Sequence, residues 1–572
     1  MTQETYPDST SVEYVYDLAG KVQQVSDPSG VYGFAYDNMG LLIGTTTQYA
    51  FLAGQTYTNA YTYDAASNQT GLTAPDGSTN TYSYDTLNRL SGLANSWAGT
   101  FGFGYDALSR RTSLTRPNGV NTSYSYDSLS HLLSVLHQAG NTTLDGASYT
   151  YDLAGNQTSK GNYLNGLTSN YSYDPLSQLL QVTGGTTESY SYDAVGNRTA
   201  SLGVSSYTTN ASNELTATSN ASYTYDSNGN TLTKTVGSNT TTYAWDFENR
   251  LTSVTLPGSG GTVSFKYDPL GRRIEKSSSA TTSVFAYDAD NLIEEANSSG
   301  GVVARYAQTD NIDEPLAMLR SSGTNYYEAD GLGSITSLAS GTGSLVQTYT
   351  YDSFGKQTAS SGSLLNPFQF TAREFDSETG LDYYRARYYD PNSGRFLSED
   401  PIGWRGGTNF YAYVGNNPAL WIDPYGLAPL SYDQVMKLVA ANNKSGRSDE
   451  LILCVIFKES SFDPAGANPG SSAVGLMGVE KGAAQDLNIP YNTLSDPATN
   501  IAAGSQYLHR RIDWKPPFGA GGDVRTGLAN YGTGEPYADS ILKCEKCLKE
   551  KAQEPSACKT KKCLEPLHPN GK

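Results

Sequence analysis

Charge is scarce in this chain of 572 residues: 16% of the side chains are charged, and the 38 basic residues are outnumbered by 56 acidic ones. The deficit is local. Residues 428–572 carry 17 basic and 16 acidic residues, which leaves 21 against 40 for residues 1–427. An acidic surface repels a phosphate backbone, so the first part is not expected to wrap nucleic acid. The near-neutral last part lacks the basic footprint of a nuclease. Histidine is rarer still, four in all and none in a ligand-spaced cluster, so no catalytic metal is expected, and no cofactor. Ser-His-Asp, phosphate-loop and dinucleotide patterns are missing. No apolar run reaches the roughly 18 residues a membrane helix needs, so no membrane span is expected. The N-terminus, Met-Thr-Gln-Glu-Thr-Tyr-Pro, has neither a basic nor an apolar segment. The expectation is a protein made in the cytoplasm and exported by machinery that needs no cleavable signal. Cysteine is absent from the first 453 residues, which excludes a disulfide framework there.

What is abundant is tyrosine, 44 residues, and it is periodic. Tyr-Asp recurs at Tyr16, Tyr36, Tyr63, Tyr84, Tyr105, Tyr126, Tyr151, Tyr173, Tyr192, Tyr225, Tyr267, Tyr287 and Tyr351, with Trp245-Asp246 in one slot. Most steps are 19 to 27 residues. A period of this length marks a stacked-unit architecture. The unit reads aromatic-x-Tyr-Asp, a turn, then a second short strand, as in Tyr149-Thr-Tyr-Asp-Leu-Ala-Gly-Asn156. Tyr at i and i+2 places both rings on one strand face, and Gly-Asn supplies the positive φ of a reversal. Each unit is therefore a β-hairpin. A long chain of hairpins makes one twisted antiparallel sheet, which must curl or close to protect its edges.

Around residue 400 the pattern changes. Gly380-Leu-Asp-Tyr-Tyr-Arg-Ala-Arg-Tyr-Tyr-Asp390 and Gly394-Arg395-Phe lead to Asp400-Pro-Ile-Gly, then Asn409-Phe-Tyr-Ala-Tyr413, Asn416-Asn-Pro418 and Asp423-Pro-Tyr-Gly-Leu427. This stretch of about 60 residues resembles the core of the Rhs (YD-repeat) proteins. The resemblance implies a hollow, spiralling β-cocoon around a C-terminal toxin. It also implies that Asp400 and Asp423 form an aspartyl-protease-like pair cutting the chain between Leu427 and Ala428, with Arg395 in support. Two carboxyls forced together cannot both ionise, so one stays protonated as acid while the other activates water. The bland reading of a lone Asp-Pro is a turn, since Pro fixes φ and Asp caps the backbone behind it.

After Leu427 the β-pattern stops. Ser431 to Asn442 reads as a helix with Val435, Leu438 and Val439 on one stripe. Ser448-Asp-Glu-Leu-Ile-Leu-Cys-Val-Ile-Phe-Lys458 reads as a second, with an N-cap serine and apolar residues all round, hence buried. Glu459 stands at its C-terminal end, where desolvation and the helix dipole both raise a carboxyl pKa, as a general acid requires. An isolated Glu there would more simply be a solvated helix end. It is followed, however, by Glu459-Ser-Ser-Phe-Asp-Pro464, Gly475-Leu-Met477, Asp496-Pro-Ala-Thr-Asn500-Ile-Ala-Ala-Gly504 and Ala529-Asn-Tyr531. In that order these are similar to the soluble lytic transglycosylases of the goose-lysozyme-like superfamily. The resemblance implies a single-carboxyl mechanism with Glu459 as general acid and base on the MurNAc–GlcNAc bond of peptidoglycan. Ser460, Gly475, Leu476, Met477 and Tyr531 would line the substrate, with Tyr531 hydrogen-bonding near Glu459. Gly478 and Gly532 stand where the family usually has Gln and Asn.

The fold class expected is thus multidomain: β-hairpin repeats over 1–370, an Rhs core with a self-cleaving site over 371–427, and a mainly helical lysozyme-like domain over 428–572. Cys544, Cys547, Cys558 and Cys563 have spacing for a zinc site or two disulfides, and Cys454 reads as a core residue. The partners implied by the resemblance are peptidoglycan, a secretion apparatus of the type VI kind and a cognate immunity protein. The toxin would act in the periplasm of a target cell. The rival readings are a non-catalytic wall-binding adhesin and a housekeeping wall-remodelling enzyme.

Overall fold

The computed structural model describes residues 2–153, 155–403 and 407–427. In the last part it describes 439, 442–460, 477–480, 483, 484, 487, 497–514, 519–531 and 535–550. The helix expected over 431–442 lies largely outside the described residues.

Most Tyr-Asp units are built the same way, the tight two-residue turn after Asp288 being an exception. In the unit at Tyr105, Asp106 Oδ1 accepts from the backbone N–H of Leu108 and Arg110, at 2.9 and 3.0 Å, closing the reversal. The third residue past the aspartate takes positive φ, +79° at Gly20 and +62° at Ser109. The strand register slips by one residue at the tyrosine itself, as at Gly104/Tyr105 and Ser125/Tyr126. That bulge recurs unit after unit, and bulges add right-handed twist and bend, which is why the sheet coils instead of lying flat.

From Tyr63 onward the tyrosine hydroxyl ties a unit to the one before it. Tyr63 donates to Leu42 O at 2.7 Å, Tyr105 to Leu90 O at 2.9 Å and Tyr173 to Gln157 O at 2.7 Å. Trp245 does the same with its indole N–H, to Thr231 O at 2.8 Å. The aspartate ties it to the next one: Arg110 Nε donates to Asp106 Oδ2 at 2.6 Å, and its Nη1 to Asp127 O at 3.0 Å. Each such bond is worth about 1 kcal/mol net; their regularity sets the stacking.

The result is a 19-stranded antiparallel sheet from Gln3–Thr5 to Arg198–Ser201 and a 16-stranded sheet from Tyr207–Thr209 to Gln357–Ser361, each strand pairing with its sequence neighbour. The second sheet lies against the first. Tyr49 donates to Phe285 O, Tyr326 to Ala98 O and Lys160 to Asp330, all at 2.6 or 2.7 Å. Apolar cores are shared across the coils, one joining Tyr61, Leu72, Leu93 and Phe101 to Leu316 and Tyr326. The chain therefore winds as one spiral wall whose later coil packs on its earlier one.

Residues 371–403 and 407–427 pack against this wall. A four-stranded sheet from Glu374–Asp376 to Arg395–Phe396 carries Tyr383, Tyr384, Tyr388, Tyr389 and Phe396, all buried. Buried Arg273 of the wall donates to Glu374 at 2.9 Å and pairs with Asp376, so core and wall are locked by charge as well as by packing.

The last part is helical: α1 (Asp449–Ser460), α2 (Pro497–Asp513), α3 (Val524–Tyr531) and α4 (Glu535–Glu550). Helix α1 is buried from Leu451 to Phe457, as its apolar circumference requires. Ser448 caps it, with Oγ accepting from Leu451 N at 3.3 Å. The helices share one apolar core, against which Ile402, two residues beyond Asp400, also packs. No described helix is long and apolar enough to cross a membrane.

Candidate active sites

The first site lies at the end of the four-stranded sheet. Asp400 and Asp423, 23 residues apart in sequence, are both buried. They meet on one nitrogen: Arg387 Nη2 is 3.1 Å from Asp400 Oδ2 and 3.4 Å from Asp423 Oδ2. The two carboxylates are thus no further apart than the sum of those distances. The Asp-Pro turns fold locally as the sequence suggests, with Asp400 Oδ1 accepting from Ile402 N at 3.0 Å and Asp423 Oδ1 from Leu427 N at 2.8 Å. The second contact places Asp423 at the residue whose carbonyl the cut would attack. Arg387 also donates to Gly426 O and, at 2.8 Å, to Phe410 O. Gly426 sits at φ +69°, and a Cβ there would lie 2.5 Å from Tyr384 O, so only glycine brings the backbone this close. Burial pushes the Asp423 carboxyl up to about 6, with the Asp400 charge adding to the rise, while Arg387 and the Leu427 N–H hold it down.

Arg395 does not reach this pair. Its guanidinium donates to Asn213 O at 2.6 Å and lies 4.8 Å over the Tyr411 ring. The cation between the aspartates is Arg387, which sequence reasoning missed. Its only signal was a place in Tyr-Tyr-Arg-Ala-Arg-Tyr-Tyr, where alternation puts Arg385 and Arg387 on one face without telling them apart. Ala428 lies outside the described residues.

The second site is on the helices. Glu459, in the last turn of α1, accepts a 2.6 Å hydrogen bond on Oε1 from the Tyr537 hydroxyl of α4. Burial pushes its carboxyl up to about 7 and Glu480 adds to the rise, against the Tyr537 bond and the Lys458 charge. Met477 is buried, its N–H donating to Asn500 Oδ1 at 2.7 Å and its carbonyl accepting from the Tyr531 hydroxyl at 2.9 Å. The tyrosine bonded to Glu459 is thus Tyr537, not Tyr531, which lies within electrostatic reach of it. No local signal marked Tyr537, which reaches Glu459 from α4, 78 residues along the chain. Ser460 donates to Ile456 O within its own helix, at 3.0 Å. Gly478 is at φ +54°, and a Cβ there would come 2.7 Å from Glu459 Oε2. Glycine is what this close approach to the carboxylate allows. Gly475, Leu476 and Gly532 lie outside the described residues.

One cysteine departs from the expectation. Cys454, read as a plain core residue, is disulfide-bonded to Cys544 across 90 positions of sequence. Cys547 is disulfide-bonded as well. The four C-terminal cysteines therefore do not act as one zinc site: two of them are already in disulfides, and one of those reaches back into α1. Cys558 and Cys563 lie outside the described residues. Among the described residues no cluster of His, Cys, Asp and Glu could hold a metal ion.

A coiled wall of Tyr-Asp hairpins with an aspartate pair in the core packed against it, followed by a small helical domain, defines the class: a YD-repeat shell carrying a C-terminal domain. The comparisons agree. The teneurin YD-shell family matches residues 137–419, and the transglycosylase SLT domain matches residues 437–536. The tRNA nuclease WapA of Bacillus subtilis is 31% identical over 263 residues, 42% of this chain and 11% of that protein. The toxin protein Tse5 of Pseudomonas aeruginosa is 51% identical over 61 residues, 11% of this chain and 5% of that one. The match thus spans only a small part of these relatives' length. The Photorhabdus luminescens Tc holotoxin pore, with its TccC3 component, overlays with a TM-score of 0.65 at 21% identity, over 75% of this chain and 25% of that one. That likeness concerns the fold. The chain thus carries a YD-shell of the teneurin type over residues 137–419 and a transglycosylase SLT domain over residues 437–536.

Proposed function

We propose that the protein is an antibacterial Rhs effector whose shell encloses a peptidoglycan-cleaving domain and whose aspartate pair frees that domain by cutting after Leu427. The observation that carries the reading is Glu459: a half-buried carboxyl at the end of α1, pushed up to about 7 and fixed by Tyr537, inside a domain matching the SLT transglycosylases. Such a group is protonated near neutral pH and can give its proton to the glycosidic oxygen between MurNAc and GlcNAc. It then takes a proton from the attacking hydroxyl, whether the muramyl 6-OH or water. One carboxyl suffices if the substrate's N-acetyl group stabilises the cation, unlike the paired carboxylates of most glycosidases.

At the other site, Asp423 holds the proton that the departing Ala428 nitrogen needs, and Asp400 accepts one from the attacking water. Arg387, touching both, balances the charge that remains. Supporting this assignment is the contact of Asp423 with Leu427 N, next to the proposed scissile bond. The same reading places the released domain in the envelope of a rival cell, delivered by contact-dependent secretion of the type VI kind. The producer would be protected by an immunity protein over Glu459.

Two variants test the two halves. Purified sacculi incubated with the protein after mild denaturant has opened its shell should release muropeptides, and Glu459→Gln should abolish that release; release undiminished in the variant would refute the role of Glu459. Asp423→Asn should leave a single uncut chain on a denaturing gel. Mass spectrometry of the wild-type fragments should end one at Leu427, and any other terminus would displace the proposed bond.

A further inference from the structure

The disulfide Cys454–Cys544 bridges the two helices that build the glycan site. Cys454 is five residues before Glu459 on α1, and Tyr537 is seven before Cys544 on α4, so bridge and hydrogen bond join the same pair of helices about two turns apart. The bridge closes a loop of 90 residues, nearly the whole helical domain, and so constrains the unfolded chain over most of it. Its sulfurs are enclosed, Cys454 at 0% and Cys544 at 3% exposure. An oxidant or reductant meets them only while the domain is open. Cys547, one turn further along α4, is also oxidised. The 427 residues of shell and core contain no cysteine at all, so redox chemistry in this protein is confined to the cargo.

We infer that the glycan site is redox-gated: the Cys454–Cys544 disulfide assembles the Glu459–Tyr537 pair, and the domain is inactive while these cysteines are thiols. A chain made in a reducing cytoplasm keeps both thiols. In an oxidising compartment the two thiols lose two protons and two electrons as the S–S bond forms. By thiol–disulfide exchange the electrons pass to a disulfide-bearing oxidant, oxidised glutathione or a disulfide oxidoreductase, which leaves as the dithiol. The producing cell would thereby hold an unassembled enzyme, and the oxidising envelope of the recipient would complete it. The activity half of this inference rests on the proposed role of Glu459; the assembly half does not.

The test uses the full chain, purified from a host with an ordinary reducing cytoplasm and from one with an oxidising cytoplasm, free thiols being alkylated at lysis. Peptide mass spectrometry reads the state of Cys454 and Cys544. Hydrogen exchange in the peptides holding Glu459 and Tyr537 should be at least about tenfold faster in the reduced chain, because the closed loop is what holds α1 on α4. With the shell opened by mild denaturant and the sample diluted onto sacculi, muropeptide release should be at least about tenfold slower for the reduced chain. The double variant Cys454→Ala, Cys544→Ala from the oxidising host should match the reduced chain in both readouts. Equal exchange in the two forms, or a disulfide already formed in the reducing host, would overturn the inference. A difference in exchange with no release from either form would support redox assembly and refute the glycan-cleaving reading instead.

Discussion

Tyr537→Phe isolates the hydrogen bond that sets the proton affinity of Glu459. The hydroxyl donates to Oε1 at 2.6 Å and so stabilises the ionised carboxylate. It works against the burial that has pushed the group up to about 7. A hydrogen bond to a charged group is worth about 1.5–3 kcal/mol, and one pKa unit is about 1.4 kcal/mol. Removing the hydroxyl while keeping the ring should therefore raise Glu459 by roughly 1–2 units, to about 8–9. Glu459 must be protonated to act as acid, so the falling, alkaline limb of the activity profile should move up by the same amount. The assay is the initial rate of muropeptide release from sacculi across neutral and alkaline pH, with oxidised protein. At low pH the variant should lose rate, since the carboxyl is less well aimed; above pH 8 it should overtake the wild type on a relative scale. An alkaline limb that stays in place, or moves down, would refute the argument that Tyr537 tunes Glu459.

Three further outcomes follow from the same geometry. Glu459→Gln should stabilise the helical domain at alkaline pH: the folded carboxyl titrates near 7 against an ordinary 4.5, so the wild type loses stability as pH rises between those values, by up to about 3 kcal/mol. Chemical denaturation read on that domain should show the variant more stable above pH 7 and equal near pH 4. Arg387→Met should leave two buried aspartates without their shared cation, costing about 3–5 kcal/mol, and should abolish the cut; fragments appearing at the wild-type rate would remove Arg387 from the site. Tyr105→Phe removes the bond to Leu90 O and should cost about 1 kcal/mol, seen as a lower urea midpoint of the shell. An unchanged midpoint would mean that the bulge alone sets the stacking there.

Much of the shell was legible because its information is local. Tyr-Asp followed by a small or polar residue at the turn names the strand end, the cap and the reversal within five residues, and period gives the rest. The bulge at each tyrosine was not legible, since a register slip belongs to two strands at once. Nor was the identity of the cation at the aspartate pair: Arg395 and Arg387 are both arginines beside buried aromatics, and only packing turns one toward Asn213 and the other onto Asp400 and Asp423.

The sequence by itself pointed to antiparallel hairpin repeats followed by a helical part, and it singled out Asp400, Asp423 and Glu459 as candidates. Each of these carries a signal in its near neighbours: a Pro after an Asp, an apolar helix before a Glu. Tertiary structure alone decided which groups face them. Tyr537 meets Glu459 across 78 residues and Cys544 meets Cys454 across 90. Contacts of that range depend on how α1 and α4 cross, and the crossing is set by the bridge between the two helices together with their burial in one core, not by any local pattern.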